Sequence, residues 1–268
     1  MNRSRFGDLE VIVRTPEEQA HEVPLLFVHG AYTAAWCWEE HFLSWFADKG
    51  FSSYAVSLSG HGQSRQRGML DSYSIDDYVN DVAEVVEAMP APPVLVGHSM
   101  GGFVVQKYLE RNDAPGAVLM ASVPPQGLWS SALGLMFKKP GLLQDLNRML
   151  GGASPRLDSV RDALFYQPID DDQLRIYAQK SQPESHRAIW DMTLFNLPQA
   201  YRMSSVPMLV LGASEDQLIP ASLVRQTGQA YGVGEMIFEG MGHAMMLERD
   251  WALVAERLHE WLRSEFLS

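Results

Sequence analysis

Residues 94–104 read Val94-Leu95-Val96-Gly97-His98-Ser99-Met100-Gly101-Gly102-Phe103-Val104. Three branched aliphatic residues fit a buried strand, and the run from Phe103 and Val104 through Lys107, Tyr108 and Arg111 fits a helix. The G-x-S-x-G pattern falls at the junction between them. A serine held on so sharp a strand-to-helix turn needs a strained backbone, and glycines two residues to either side let neighbouring chain approach it closely. Such a turn presents a hydroxyl for attack. A free hydroxyl is nevertheless a poor nucleophile, so it needs a base within reach, an acid to orient that base, and N–H donors for the developing oxyanion.

The rest of the chain offers a candidate for each role. His243 stands in Gly240-Met241-Gly242-His243, between a strand ending near Phe238 and a C-terminal helix. Asp216 stands in Gly212-Ala213-Ser214-Glu215-Asp216-Gln217-Leu218-Ile219-Pro220, again on a strand-following loop, with Glu215 as its rival. The order Ser, Asp, His, each after a strand, is the order this motif carries in its fold. Met100, at the start of the helix, has an unpaired N–H suited to an oxyanion, and His29-Gly30-Ala31 at the end of the strand Leu25 to Val28 offers a second at Ala31, or less favourably Tyr32. His98 beside Ser99 is expected to pack structurally.

Working outward, short apolar runs alternate with helical patterns: Leu9 to Val13, Leu25 to Val28, Tyr54 to Leu58, Val94 to Val96, Ala117 to Met120, Met208 to Leu211 and Met236 to Phe238. That alternation predicts an α/β fold, a mostly parallel sheet flanked by helices. Ile75, Tyr78, Val79, Val82, Val85, Val86 and Met89 mark one face of a helix that Ser74 and Asp77 cap and Pro90 ends. A last helix is expected near Trp251 to Phe266. Residues 124–198 break the alternation with proline-punctuated helical patterns and read as a cap inserted before the last strands, between core segments 1–123 and 199–268. An ordinary helical subdomain is the plainer alternative.

With 268 residues, the chain is long enough to bury a core without disulfides or structural metal, and the single Cys37 allows neither a disulfide framework nor a paired zinc site. Lys and Arg number 21 against 33 Asp and Glu, a net charge of −12 that repels phosphate backbones, so nucleic acid is not an expected partner. No apolar run follows the basic Met1 to Arg5, and none is long enough to span a bilayer; no export, no integral membrane segment and a cytoplasmic location are expected. No cofactor or metal is implied, His21, His41, His61, His186 and His259 read as loop or surface residues, and oligomeric state carries no signal. Trp36 and Trp38 are candidates for an acyl pocket, and Trp45 for core packing. Met100, Met241, Met245 and Met246, with Leu128, Trp129, Leu133 and Phe137, read either as an adaptable apolar binding surface or as core filling.

These motifs resemble the α/β-hydrolase fold family in its capped esterase and lipase-like branch, over nearly the whole chain. Gly60-His61-Gly62-Gln63-Ser64 is similar to the loop of monoacylglycerol lipases and lysophospholipases; His29-Gly30-Ala31 with Trp36-Cys37-Trp38, and His243-Ala244-Met245-Met246-Leu247, are similar to plant-type methyl-ester hydrolases. One departure is Ser57, where many relatives carry an aspartate. The resemblance implies a serine hydrolase acting on a small-molecule carboxylic ester of small or medium apolar acyl part, with Ser99, His243 and Asp216 as triad and activity falling on acidification through the histidine pKa, about 6.5 for an unperturbed imidazole. Trp36, Leu128, Trp129 and Met245 are its expected substrate contacts. Hydroxynitrile lyases carry a lysine where Ala244 stands, and haloalkane dehalogenases and epoxide hydrolases use an aspartate where Ser99 stands. Lactonases, C–C bond hydrolases and perhydrolases share the serine triad and remain alternatives, as does a small-molecule receptor that retains it.

Overall fold

The computed structural model describes residues 2–18, 20–66, 69–129, 144, 156–203 and 205–267. Alternate residues of each central strand face opposite sides, and helices cover both, which is why these strands are mostly apolar. The strands are β1 (Asn2–Phe6), β2 (Leu9–Arg14), β3 (Leu25–Val28), β4 (Ser53–Val56), β5 (Val94–His98), β6 (Ala117–Met120), β7 (Met208–Ala213) and β8 (Glu235–Phe238). They form one sheet in the order β1-β2-β4-β3-β5-β6-β7-β8. From β4 to β8 every pairing is parallel, whereas β1–β2 and β2–β4 are antiparallel.

Helices α1 (Trp36–Glu39), α2 (Phe42–Asp48), α3 (Ile75–Ala88) and α4 (Met100–Tyr108) lie within the first half of the chain. Between β6 and β7 come α5 (Leu157–Leu164), α6 (Asp171–Lys180) and α7 (His186–Trp190), the last running into a π-helical turn over Asp191–Phe195. Helices α8 (Ala221–Tyr231) and α9 (Trp251–Phe266) complete the chain. On one face, Phe27, Val96, Val118 and Leu211 pack with Phe42 and Phe46 of α2 and Val254, Leu258 and Leu262 of α9. On the other, Leu26, Val28, Leu95 and Leu119 pack with Tyr78 and Val82 of α3, Val104 of α4 and Val224 of α8.

Two differences from the sequence reading stand out. The polar stretch Asn2–Phe6 pairs with β2 as an edge strand, which no apolar run announces. Strand β4 ends at Val56, because Leu58 N–H turns away to meet the ring of His29. Among the described residues between Pro124 and Pro198 there is no strand. Described residues of this insertion grip loops that follow β3, β4 and β8, Gln182 at Tyr32, Glu184 at His61 and Gln167 at Gly240.

Candidate active site

Ser99 sits between β5 and α4 with φ 52° and ψ −116°, a left-handed conformation that costs a non-glycine residue of order 1–3 kcal/mol. The surroundings hold it there. Its N–H donates to Met120 O at 3.1 Å, and its carbonyl accepts from the N–H groups of Phe103 and Val123, each at 3.2 Å. A Cβ on Gly101 would overlap the carbonyl oxygens of Val28 and His29, and one on Gly97 would overlap Gly101 and Gly102. The pattern's two glycines therefore let the first turn of α4 press against the ends of β3 and β5. Met100 opens that turn, where N–H groups have no partner within the helix.

The loops after β7 and β8 are tied together, Ser214 N–H to Phe238 O at 3.0 Å and Glu215 N–H to Met241 O at 3.0 Å. This brings Asp216 to His243: Oδ2 lies 2.7 Å from Nδ1, and both residues are buried. Oδ1 accepts from the N–H groups of Leu218 and Ile219 at 2.8 Å each, so the carboxylate is fully engaged. With Nδ1–H donating to Asp216, Nε2 of a neutral imidazole keeps its lone pair for a proton. Glu215 instead accepts from Ser214 Oγ at 3.2 Å. His98, next to Ser99, lies against the histidine loop, its Nε2 2.9 Å from His243 O. Burial first, and the neighbouring His243 second, hold His98 well below an ordinary imidazole, so its Nε2–H donates and it packs as expected.

The turn after β3 is pressed directly on this centre, since a Cβ on Gly30 would stand 3.1 Å from Ser99 Cβ. His29 clamps it: Nε2 accepts from Leu58 N–H at 3.0 Å, so Nδ1 carries the proton and donates to Gly30 O at 2.8 Å. That carbonyl belongs to the same peptide group as Ala31 N–H. Burial, followed by the charge on His61, pushes His29 down to about 3, consistent with this neutral tautomer. Tyr32 follows with φ 65°.

His61, read as a loop or surface residue, lies on the loop after β4 but is buried rather than at the surface. It is fully buried, with Nε2 3.0 Å from Glu184 Oε2, itself fully buried. Burial pushes His61 down and Glu184 up, but their mutual attraction wins and leaves His61 above and Glu184 below the usual values. Ser57 is accounted for by Glu10: Ser57 Oγ donates to Glu10 Oε2 at 2.7 Å and accepts from Ala35 N–H at 3.1 Å. The same Oε2 accepts from Gln63 N–H at 3.0 Å, so a carboxylate on β2 holds the glycine-rich loop. Glu248 performs a similar service for the histidine loop, Oε1 accepting from Gly242 N–H and from Tyr166 N–H of the insertion at 2.7 Å each. Glu10, Gln167, Gln182, Glu184 and Glu248 were not singled out from sequence, because no motif links positions so far apart.

The expected substrate contacts separate. Trp36 is half-buried and stacks on Tyr177 of α6 at 5.5 Å, with Lys180 Nζ 4.9 Å over its ring. Trp38 lies wholly inside the core, and Trp45 packs partly buried against it. Leu128 is half-buried, its N–H bonded to Met192 O at 3.0 Å, whereas Trp129 is 52% exposed. Met245 is 0% exposed and, like Met100, Met241 and Met246, fills the core, offering no face to an open pocket. Leu133 and Phe137 lie outside the described residues. Among the described residues, no cluster of three or more His, Cys, Asp or Glu is arranged to hold a metal, and no helix is long and apolar enough to cross a membrane.

A strained serine at a strand–helix turn, together with a buried Asp–His pair on loops that follow later strands of the same sheet, is the chain order and placement that α/β hydrolases carry. Residues 25–257 match the Alpha/beta hydrolase family, and the chain belongs to it. It is similar to a bifunctional esterase/perhydrolase of Acinetobacter calcoaceticus, 27% identical over 84% of this chain and 86% of that protein. Among solved structures, an esterase from Exiguobacterium antarcticum superposes with TM-score 0.71 at 19% identity, covering 95% of this chain and 96% of its own. An N-acyl homoserine lactonase superposes with TM-score 0.74 at 18% identity over 96% and 94%. At such identities the two structures speak for the fold alone.

Proposed function

We propose that this protein is a serine hydrolase that cleaves a carboxylic ester with a small or medium apolar acyl group through an acyl-enzyme. The observation that carries the reading is the 2.7 Å contact between Asp216 and His243 on the sheet edge where Ser99 is held in its strained turn. In this scheme Ser99 Oγ attacks the ester carbonyl carbon while His243 Nε2 takes its proton. Asp216 stabilises the resulting imidazolium, and the N–H groups of Ala31 and Met100 hold the oxyanion. The imidazolium then protonates the departing alkoxide, leaving an acyl-Ser99 ester. Water attacks that ester as His243 accepts its proton, and collapse releases the carboxylic acid and restores the serine. The insertion at 124–198 acts as the cap, and the half-buried Trp36 and Leu128 supply apolar surface for the acyl chain.

Hydrogen peroxide can attack the same acyl-enzyme in place of water and give a peracid, a second reading favoured by the similarity to an esterase/perhydrolase over most of both chains. The test is a p-nitrophenyl ester series from acetate to palmitate on wild type and Ser99→Ala, with fluorophosphonate labelling and a peroxide arm. Turnover peaking at one chain length, lost in Ser99→Ala and lowered about 10⁴-fold in Asp216→Asn, supports the triad. Turnover that survives Ser99→Ala overturns it. Labelling of Ser99 without ester turnover points to a lactone, a C–C bond or a receptor instead.

A further inference from the structure

We propose that Gln182 and Glu184 of the helical insertion are positioning residues for the oxyanion hole, holding the Gly30–Ala31–Tyr32 backbone from 150 residues away in the chain. The inference deepens the serine-hydrolase reading and rests on it. An oxyanion donor works only if its N–H points to the place where charge develops, and displacement by about 1 Å can cost about a hundredfold in rate. The peptide bearing Ala31 N–H lies in an otherwise mobile kind of segment, a loop after a strand. Its following residue, Tyr32, holds a φ of 65°, which a side chain with a Cβ disfavours.

The insertion supplies what keeps that backbone in place. Gln182 N–H donates to Tyr32 O at 3.0 Å. The Gln182 side chain is itself fixed at both ends, its Nε2 donating to Gly60 O and its Oε1 accepting from Gly62 N–H, each at 2.9 Å. One residue thus joins the oxyanion turn, through its backbone N–H, to the glycine-rich loop, through its side chain. Two residues on, Glu184 Oε2 meets His61 Nε2, and Oε1 accepts from Tyr78 O–H at 2.7 Å and from Ser185 N–H at 2.8 Å. The His61 ring stands 5.1 Å from that of His29, whose Nδ1–H holds Gly30 O. The insertion therefore reaches the oxyanion peptide from both sides, at Tyr32 O through Gln182 and at Gly30 O through Glu184, His61 and His29.

Gln182→Ala removes the side-chain half of the bridge, the two bonds that fix residue 182 to Gly60 and Gly62 and so hold its N–H on Tyr32 O, and leaves the buried pair intact; Glu184→Gln keeps the shape of the side chain and removes its charge. Both are compared with wild type on the p-nitrophenyl ester that wild type hydrolyses best, and in inhibition by a trifluoromethyl ketone of matching acyl length. That ketone forms a tetrahedral adduct with the serine and so reports the oxyanion hole directly. Asp170→Ala serves as control, because it removes the side chain that caps α6 in the same insertion without touching either loop. For Gln182→Ala we expect kcat lowered about tenfold, KM within about twofold and the ketone bound about tenfold more weakly, a fraction of what losing a donor outright costs. Glu184→Gln should move the same two quantities together, and it decides the matter if Gln182→Ala fails to fold. Asp170→Ala should lower Tm while leaving kcat and ketone affinity within about twofold. Unchanged kcat and ketone affinity in both insertion variants, a change in KM alone, or an equal loss in Asp170→Ala would overturn the proposal while Ser99-dependent turnover in wild type still stood. Absence of that turnover would overturn the hydrolase reading and this inference with it.

Discussion

At Ser57 a hydroxyl relays a carboxylate that lies on another strand. Glu10 reaches from β2 to Ser57 Oγ and Gln63 N–H, so the negative charge that many family members carry at position 57 is delivered from position 10. Ser57→Asp would set two carboxylates against each other in a buried place, and one of them would have to take up a proton. The expected loss is about 2 kcal/mol in urea unfolding, recovered in large part by adding Glu10→Gln. At Gly101 two effects compete. Alanine gains about 1 kcal/mol in a helix, but here its Cβ meets the carbonyl oxygens of Val28 and His29, and overpacking costs about 1–3 kcal/mol. Because the obstacle is backbone at the site itself, Gly101→Ala should lower both Tm and esterase kcat; a variant more stable than wild type would refute the packing argument.

Among the elements, α3 shows how a short signal fixes a boundary. Ser74 Oγ accepts from Asp77 N–H at 3.2 Å while Asp77 Oδ2 accepts from Ser74 N–H at 2.9 Å, the reciprocal cap that the residue pair foretold. Ser74→Ala should cost about 1 kcal/mol, read as a fall in Tm of about 2–4 °C with ester turnover unchanged. The central strands were equally legible, because burial on both faces leaves no room for polar residues in Leu25–Val28 or Ala117–Met120. Strand β1 was not, since Asn2–Phe6 owes its conformation to pairing with β2 rather than to an apolar pattern of its own. The strained turn at Ser99 and the pairing of Asp216 with His243 could be read because each residue follows a strand at a motif. His61 could not, for its partner Glu184 is brought to it only by the way the insertion folds back. Met245 is 0% exposed although it stands two residues from His243, because proximity in sequence does not say which way a side chain turns.

For the molecule as a whole, buried histidines set the response to acid. His29, held at about 3 by burial and then by His61, and His98, held well below its ordinary value by burial and then by His243, both fold neutral. Each has a folded pKa below the unfolded value of 6.5, so its contribution is complete above pH 6.5 and is lost as the pH falls through the range below. Glu184, lowered from 4.5, adds to the loss only as the pH falls through its depressed pKa. His61 works the other way, its raised pKa making its contribution complete below 6.5 and lost on the alkaline side. Asp81, pushed up to about 6 chiefly by burial, and Glu248, raised chiefly by burial, pull the opposite way, so urea unfolding between pH 7 and 4 should show stability falling by less than about 2.7 kcal/mol per pH unit, and a profile that rose towards acid throughout would contradict the assignment. The insertion's grip on the loops after β3, β4 and β8 has a consequence for how the protein opens. Amide hydrogens of Gln182, Ala244 and the oxyanion turn should exchange with solvent in a single cooperative event, because Leu164 O holds Ala244 N–H as Gln182 N–H holds Tyr32 O. A lid that breathed alone would exchange first, so separate exchange of the Gln182 and Ala244 amides would refute this coupling of the insertion to the loops it grips.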